Sequence, residues 1–325
     1  MRAVLCKEYG PPEKLVVDDI ETRPPEEGEV LVRVEACGVN FPDTLIIEGK
    51  YQFKPELPFS PGGEVAGTVK EVGPGVTGFK AGDPVIGMTG WGGFAEEVIV
   101  PAAKLLKRPA EMDVVKAAGF SMTYGTSYHA LKQRADIQPG ETLLVLGASG
   151  GVGLAAVELG KAMGARVIAA ASTDEKLEVA RQHGADELVN YGDGQFKDTV
   201  KELTGGKGAD VIYDPVGTDE LFDQCLRSVN WKGRILVIGF AGGAIPKAPV
   251  NLVLLKGSAI VGVFWGDFAR REPEVNAENF KALFELFMAG KIDPLVSKTY
   301  TLDEAPQALQ DLLSRKAVGK LVLTP

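Results

Sequence analysis

Hydrophobic spacing changes period three times between positions 143 and 171. Residues 143–146 (LLVL) form an unbroken apolar run, the pattern of a strand buried on both faces. A glycine-rich turn follows: Gly147, Ala148, Ser149, Gly150, Gly151, Val152 and Gly153. Residues 154–163 then carry apolar side chains at helical spacing and stop at Gly164, and 166–171 are apolar again. Strand, glycine turn, helix, strand is the unit that holds a dinucleotide pyrophosphate against the first turn of a helix. Gly147 permits the tight turn, Gly150 and Gly151 keep side chains away from a phosphate, and Gly153 lets the helix pack close to the strand. Set between two strands, the motif is far more specific than the glycines alone.

The stretch before position 110 has a different texture. Short β-type runs at 29–36, 67–72, 84–87 and 95–100 are separated by turn sequences such as Gly73-Pro74-Gly75 and Ala81-Gly82-Asp83-Pro84. That pattern predicts a compact, barrel-like β domain. From position 113 helix and strand alternate. Helices are expected at 113–118, 125–134, 174–183 and 219–228, and strands at 187–190, 210–214, 234–238 and 259–264. Such alternation builds a parallel sheet covered by helices. Helices at 276–289 and 302–314 and a strand at 319–323 are left over once that sheet is complete. The economical arrangement returns this tail to the first domain and leaves a cleft for substrate and cofactor.

At 325 residues the chain has room for two domains. Its net charge of −9 argues against a nucleic-acid partner or an anionic membrane surface. No apolar segment is long enough to span a bilayer, and the N-terminal sequence reads as neither signal nor transit peptide. These features predict a cytoplasmic protein. Cys6, Cys37 and Cys225 are too dispersed for a disulfide framework or a zinc finger. With only His129 and His183 beside them, no metal site is expected. His183 lies at a predicted helix end, where it would meet the helix dipole.

The end of the second strand bears on cofactor choice. An NAD enzyme places an acid there to hold the ribose 2′-hydroxyl. Here Ala170, Ala171, Ser172 and Thr173 occupy it, and the first acids, Asp174 and Glu175, fall in the next helix, followed by Lys176. Hydroxyls and a cation suit a 2′-phosphate, which points to NADPH; the plainer reading of Lys176 is a solvated helix lysine.

Longer motifs extend over essentially the whole chain: CGVNFPDTLIIEGKY (37–51), PFSPGGEVAGTVKEVGPGV (58–76), FKAGDPVIG (79–87), GGFAEEVIVP (92–101), GASGGVG (147–153) and GKLVL (319–323). In these the chain resembles the zinc-independent quinone oxidoreductase branch of the medium-chain dehydrogenase/reductase superfamily. The resemblance implies an α/β protein. A GroES-like, β-barrel-type catalytic domain would comprise 1–122 and 266–325. A Rossmann domain with a doubly wound parallel sheet, binding NADPH, would comprise 123–265. Zinc-dependent members carry Cys at the position of Asn40, His at Gly63 and a third ligand near Gly119. Catalytic zinc needs three protein ligands, and these residues supply none. The expected substrate is therefore one already activated toward hydride, a quinone or an α,β-unsaturated carbonyl.

By the same resemblance Asn40 offers an amide to a substrate oxygen, and Asp43 accepts from a neighbour. Tyr51 donates a hydrogen bond or proton, and Thr123 reaches the nicotinamide side. Each residue type also allows a plainer role: a turn residue for Asn40, a helix cap for Asp43 or Thr123, a partly buried phenol for Tyr51. The family pattern adds Ser172, Lys176, Tyr191 and Arg315 around the adenosine 2′-phosphate, and Gly239, Phe240, Phe264, Trp265 and Lys320 along the nicotinamide. Arg315 reads equally as an exposed tail arginine, and Phe264 with Trp265 as packing. The implied activity is hydride transfer from NADPH to a quinone. Two alternatives stand. One is C=C reduction of 2-enals, 2-enones or acryloyl-CoA-type thioesters, and the other a non-catalytic, crystallin-like NADPH-binding role. The apolar run at 256–264 reads as an edge strand of the Rossmann sheet, where this family pairs two copies, so a homodimer is expected.

Overall fold

The computed structural model describes all of residues 1–325. They form two compact units, Met1–Met122 with Pro294–Pro325, and Thr123–Asp293.

The first unit is built on a seven-stranded sheet. Its order runs Val296–Tyr300, Lys320–Leu323, Glu29–Val39, Glu64–Val72, Pro84–Met88, Leu105–Lys107, and Glu97–Pro101 pairs separately with Glu29–Val39. Alternating valines and leucines (Val30, Val32, Val34, Val65, Val85, Val100, Leu321, Leu323) fill its core. The expected return of the C-terminal strand is realised. Lys320–Leu323 lies antiparallel to the end of Glu29–Val39, with Leu321 opposite Val39 and Leu323 opposite Cys37. On the other side of the same strand Glu64 stands opposite Gly38. This register gathers Lys320, Asn40 and Glu64 at one end of three adjacent strands.

The second unit holds six parallel strands in the order Glu187–Asn190, Arg166–Ala171, Thr142–Leu146, Ala209–Asp214, Val229–Val237, Ala259–Gly262. Numbered along the chain that order is 3-2-1-4-5-6, the Rossmann arrangement. Two of its inner strands carry unbroken buried apolar runs, Leu143 to Leu146 and Val167 to Ala171, as strands covered on both faces do.

Several elements depart from expectation, and three of the departures bear on the units and their sites. Residues 266–293, assigned by sequence to the catalytic domain, pack with the second unit. Phe268 stacks on His129 with ring centres 3.8 Å apart. Gln133 and Asn279 exchange two hydrogen bonds, and Phe280 and Leu283 are buried. The period of a helix reveals its apolar face but not which core receives it. Second, the helix expected at 125–134 begins earlier, at Ser121–His129, and ends in a π-helical turn, Ala130–Arg134. Third, the strand expected at 67–72 starts at Glu64, since a charged residue buried at its head breaks the apolar pattern. No helix is long and apolar enough to cross a membrane.

Candidate active site

Asn40 follows the Glu29–Val39 strand and opens the Phe41–Ile47 helix. Its side chain is 7% exposed, and both amide hydrogens are committed, to the Gly38 carbonyl at 3.2 Å and to Glu64 Oε1 at 2.9 Å. Its Oδ1 accepts from Lys320 Nζ at 2.6 Å. The amide orientation is unambiguous, because an ammonium can only donate and a carboxylate can only accept. Lys320 spends its other two hydrogens on Val39 O at 3.0 Å and Glu64 Oε1 at 2.9 Å. Glu64 Oε2 takes the backbone N–H of Met122 at 2.9 Å. The three side chains form a closed, fully satisfied polar cage around an ion pair whose members are 6% and 1% exposed. Gly119 belongs to the same construction: a Cβ there would lie 3.0 Å from Lys320 Cγ, so the lysine stem runs where a side chain would be.

Asp43 sits one helical turn after Asn40. Its carboxylate reaches back to the Asn40 N–H at 2.7 Å and across to the Gly62 N–H at 3.2 Å. Burial pushes its pKa up to about 7, against the pull of those two donors and of the Lys320 charge. Tyr51 follows the helix, half-buried against the core and edge-on to Phe53 with ring centres 5.8 Å apart. Burial, and then the nearby Asp43 carboxyl, raise its phenol pKa, so it holds its proton at neutral pH. Asn40, Asp43, Tyr51 and Lys320 all lie in the first unit. Thr123 is buried in the first turns of the Ser121–His129 helix and belongs to the second.

In the second unit the Gly147–Gly153 turn connects the Thr142–Leu146 strand to the Gly151–Ala162 helix. Gly150 is the helix N-cap and provides no side-chain cap, so the first-turn N–H groups have no competing oxygen from that residue. Ala148 and Ser149 are buried within the turn. Ser172 is exposed at the end of Arg166–Ala171, Thr173 caps the Asp174–Gln182 helix that carries Lys176, and Tyr191 opens the short Tyr191–Asp193 turn. Gly239 and Phe240 follow the Val229–Val237 strand, and Phe264 is half exposed after Ala259–Gly262. Trp265, by contrast, is buried. Its indole donates to Asn276 at 3.0 Å and lies against Gly125, where a Cβ would be 2.7 Å from the ring. Arg315 is exposed in the first unit with a left-handed φ of 58°.

Sequence reasoning missed two groups. Glu64 is the hub of the cage, and the only sequence signal for it is a lone acid between two glycines and an apolar run. Glu158, on the buried face of its helix, accepts from the Tyr124 hydroxyl at 2.5 Å and pairs with His183 Nδ1 at 2.6 Å. His183 thus has a carboxylate partner in addition to its place at the helix C-terminus. No three His, Cys, Asp or Glu side chains converge as a metal-ligand set.

Two family models match the chain, an alcohol dehydrogenase GroES-like domain over residues 26–110 and a zinc-binding dehydrogenase over residues 151–285. They define a dehydrogenase/reductase with a GroES-like and a Rossmann unit. The chain is 44% identical to "Quinone oxidoreductase-like protein 2 homolog" from Nematostella vectensis, over 99% of this chain and 88% of that one. Among solved structures, Escherichia coli quinone oxidoreductase complexed with NADPH is 31% identical, with a TM-score of 0.93 and full coverage of both chains. The CurK enoyl reductase is 26% identical, with a TM-score of 0.90 over 99% of this chain and 98% of that one. The chain belongs to the zinc-independent quinone oxidoreductase branch of the medium-chain dehydrogenase/reductase superfamily, and is an oxidoreductase.

Proposed function

We propose that this chain binds NADPH and uses it to reduce a quinone by hydride transfer. The observation that carries the reading is the start of the Gly151–Ala162 helix, with no side-chain cap, at the point where strand order reverses. From Thr142–Leu146 the sheet runs one way through Arg166–Ala171 and the other through Ala209–Asp214. Ligands of open parallel sheets sit at that reversal, and a helix N-terminus favours a pyrophosphate. The preference for NADPH is supported by the exposed Ser172 and by Lys176. Asp174 lies beyond the strand end, in the first turn of the next helix, and its Oδ1 accepts from Asn190 Nδ2 at 2.8 Å. The quinone rests on the names carried by the relatives.

Bound NADPH supplies the hydride. The chain's residues bind, orient and protonate. Gly147 to Gly153 receive the phosphates, Ser172, Lys176 and Tyr191 the adenosine end, and Gly239, Phe240 and Phe264 offer surface to the nicotinamide. Tyr51 Oη donates to the acceptor oxygen that gains charge, its raised pKa keeping the proton in place until then. Asn40 has no amide hydrogen to spare, so it acts by fixing the start of the helix that carries Asp43. C=C reduction is the second reading, favoured by the likeness to an enoyl reductase.

The test is anaerobic oxidation of NADPH, and of NADH, against 1,4-benzoquinone, 9,10-phenanthrenequinone, a 2-alkenal and acryloyl-CoA. Quinone turnover with NADPH preference is expected. Turnover of only the alkenal or the thioester moves the function to C=C reduction, and binding without turnover makes the protein non-catalytic.

We further propose that the protein works as a homodimer in the cytoplasm. Ala259–Gly262 is the outer strand of its sheet, and the Val250–Lys256 helix before it exposes Val250, Leu254 and Leu255, with Ile245 and Trp231 also exposed. Apolar side chains in that number favour a covering partner, and an open strand edge suits a second copy. Sedimentation at micromolar concentration should give a dimer, and Leu254→Glu with Leu255→Glu a monomer. A monomeric wild-type chain defeats the proposal.

A further inference from the structure

Asp214 closes the Ala209–Asp214 strand and is 2% exposed. No lysine, arginine or histidine pairs with it. Its Oδ1 accepts two backbone hydrogens, from Val216 N and Gly217 N, both at 2.9 Å, while Oδ2 takes no hydrogen bond from the chain. Burial raises the pKa of this carboxyl, and the two N–H donors oppose the rise. A buried acid without a cation is an expensive way to close a turn. What the turn touches gives a reason for it.

The loop 215–217 has contacts at both ends of the nucleotide-binding edge. At one end the Val216 methyl Cγ2 lies 3.2 Å from where a Cβ on Gly147 would be, so the loop rests on the first glycine of the phosphate turn. At the other, a Cβ on Gly217 would lie 2.8 Å from both the Gly239 carbonyl oxygen and Phe240 Cδ1. Backbone bonds tie the same loop across to the next one. Ile238 N donates to Asp214 O at 3.0 Å, Ala241 N to Pro215 O at 3.1 Å and Gly242 N to Val216 O at 2.7 Å. One short loop thus spans from the phosphate turn to the 239–240 surface, and the Asp214 carboxylate accepts from two of its backbone N–H groups.

We propose that Asp214 is a positioning residue for NADPH: by locking the 215–217 loop it sets the nicotinamide surface at Gly239–Phe240 relative to the phosphate turn at Gly147. The inference rests on the NADPH reading above. Loosening the loop would leave phosphate binding intact and misplace the ring, and small misplacements of a reacting group are costly.

The experiment compares NADPH with 2′-phospho-ADP-ribose, which lacks only the nicotinamide ring. Affinities come from calorimetry, and the emission of bound NADPH reports how firmly the ring is held. Hydrogen bonds to a charged group bound what order in the loop can contribute, so Asp214→Ala should weaken NADPH by about tenfold and by no more than about 100-fold, and leave 2′-phospho-ADP-ribose within about twofold. Asp214→Asn keeps the Oδ1 acceptor and should restore most of the NADPH affinity and the emission. If Asp214→Ala does not fold, Asp214→Ser, with a shorter acceptor, takes its place in the comparison. Unchanged NADPH affinity, or parallel loss of both ligands, overturns the positioning role. A folded wild-type chain that binds 2′-phospho-ADP-ribose and NADPH equally well overturns it too, while one that binds neither overturns the NADPH reading itself.

Discussion

Lys320→Met should destabilise the protein by about 3–5 kcal/mol, the usual cost of removing one partner from a buried ion pair. Methionine fills the space of the lysine stem over Gly119, so the loss comes from charge rather than from a cavity. Val39 O, Asn40 Oδ1 and Glu64 Oε1 each lose the ammonium donor at once; Oε1 keeps only the Asn40 amide, and the Glu64 carboxylate is left 1% exposed without its cation. The effect should depend on pH. Asp43 titrates at about 7 in the folded chain against an ordinary 3.8. Between those values the folded state holds a proton that the unfolded state has released, so Asp43 costs stability progressively as pH rises through that window and by a constant amount above it. The Lys320 charge lowers the Asp43 pKa, so removing it extends the window upward. Urea unfolding should therefore show the variant further below wild type at pH 8 than at pH 6. Adding Glu64→Gln to Lys320→Met removes the stranded charge and should recover a large part of the loss. No recovery in the double variant would mean that the pair is not coupled as its geometry implies.

Gly153→Ala should damage the second unit strongly for a change of a single methyl. Its Cβ would overlap the Gly147 carbonyl oxygen, with the Gly147 carbonyl carbon 2.9 Å and the Ala148 Cα 3.0 Å away. All three are backbone atoms of the phosphate turn, and Gly147 is held at φ 56°, so no flexible side chain can yield. Overpacking of this kind costs about 1–3 kcal/mol, and the turn must open to relieve it. Gly150→Ala makes the contrasting case. Gly150 has an ordinary φ of −79°, and its Cβ would meet only Gly147 O, at 3.4 Å. It should leave thermal stability near wild type while weakening NADPH, because the methyl projects from the helix start that receives phosphate. Stability and NADPH affinity measured on both variants separate the packing glycine from the binding glycine. Equal stability of the two would contradict the tight approach of helix to turn.

The glycine turn was legible because its chemistry is local. A strand, a turn and a helix contiguous in sequence must be contiguous in space, and the apolar runs at 143–146 and 166–171 lie where the parallel strands are. The missing acid at 170–173 was legible for the same reason. The first unit was less transparent. The resemblance makes Asn40 an amide donor to a substrate, yet its amide hydrogens belong to Gly38 and Glu64, and nothing local to Glu64 marks it as their partner. The resemblance sets Lys320 along the nicotinamide, and no local pattern shows that its ammonium donates to Val39, Asn40 and Glu64. Trp265 shows the same limit, since nothing in its neighbours announces that Gly125 and Asn276 receive it.

By itself the sequence determined the class of each unit, the parallel sheet implied by alternating helices and strands, and the glycine turn between strand and helix. Hydrophobic period and backbone permissiveness are properties of consecutive residues. Tertiary structure alone decided which core the 266–293 helices join, which amide and ammonium hydrogens are already spent, and what an uncompensated acid such as Asp214 holds in place. Those outcomes depend on strand register and on burial across hundreds of residues. A buried charge has no meaning until its partners, or their absence, are fixed in space.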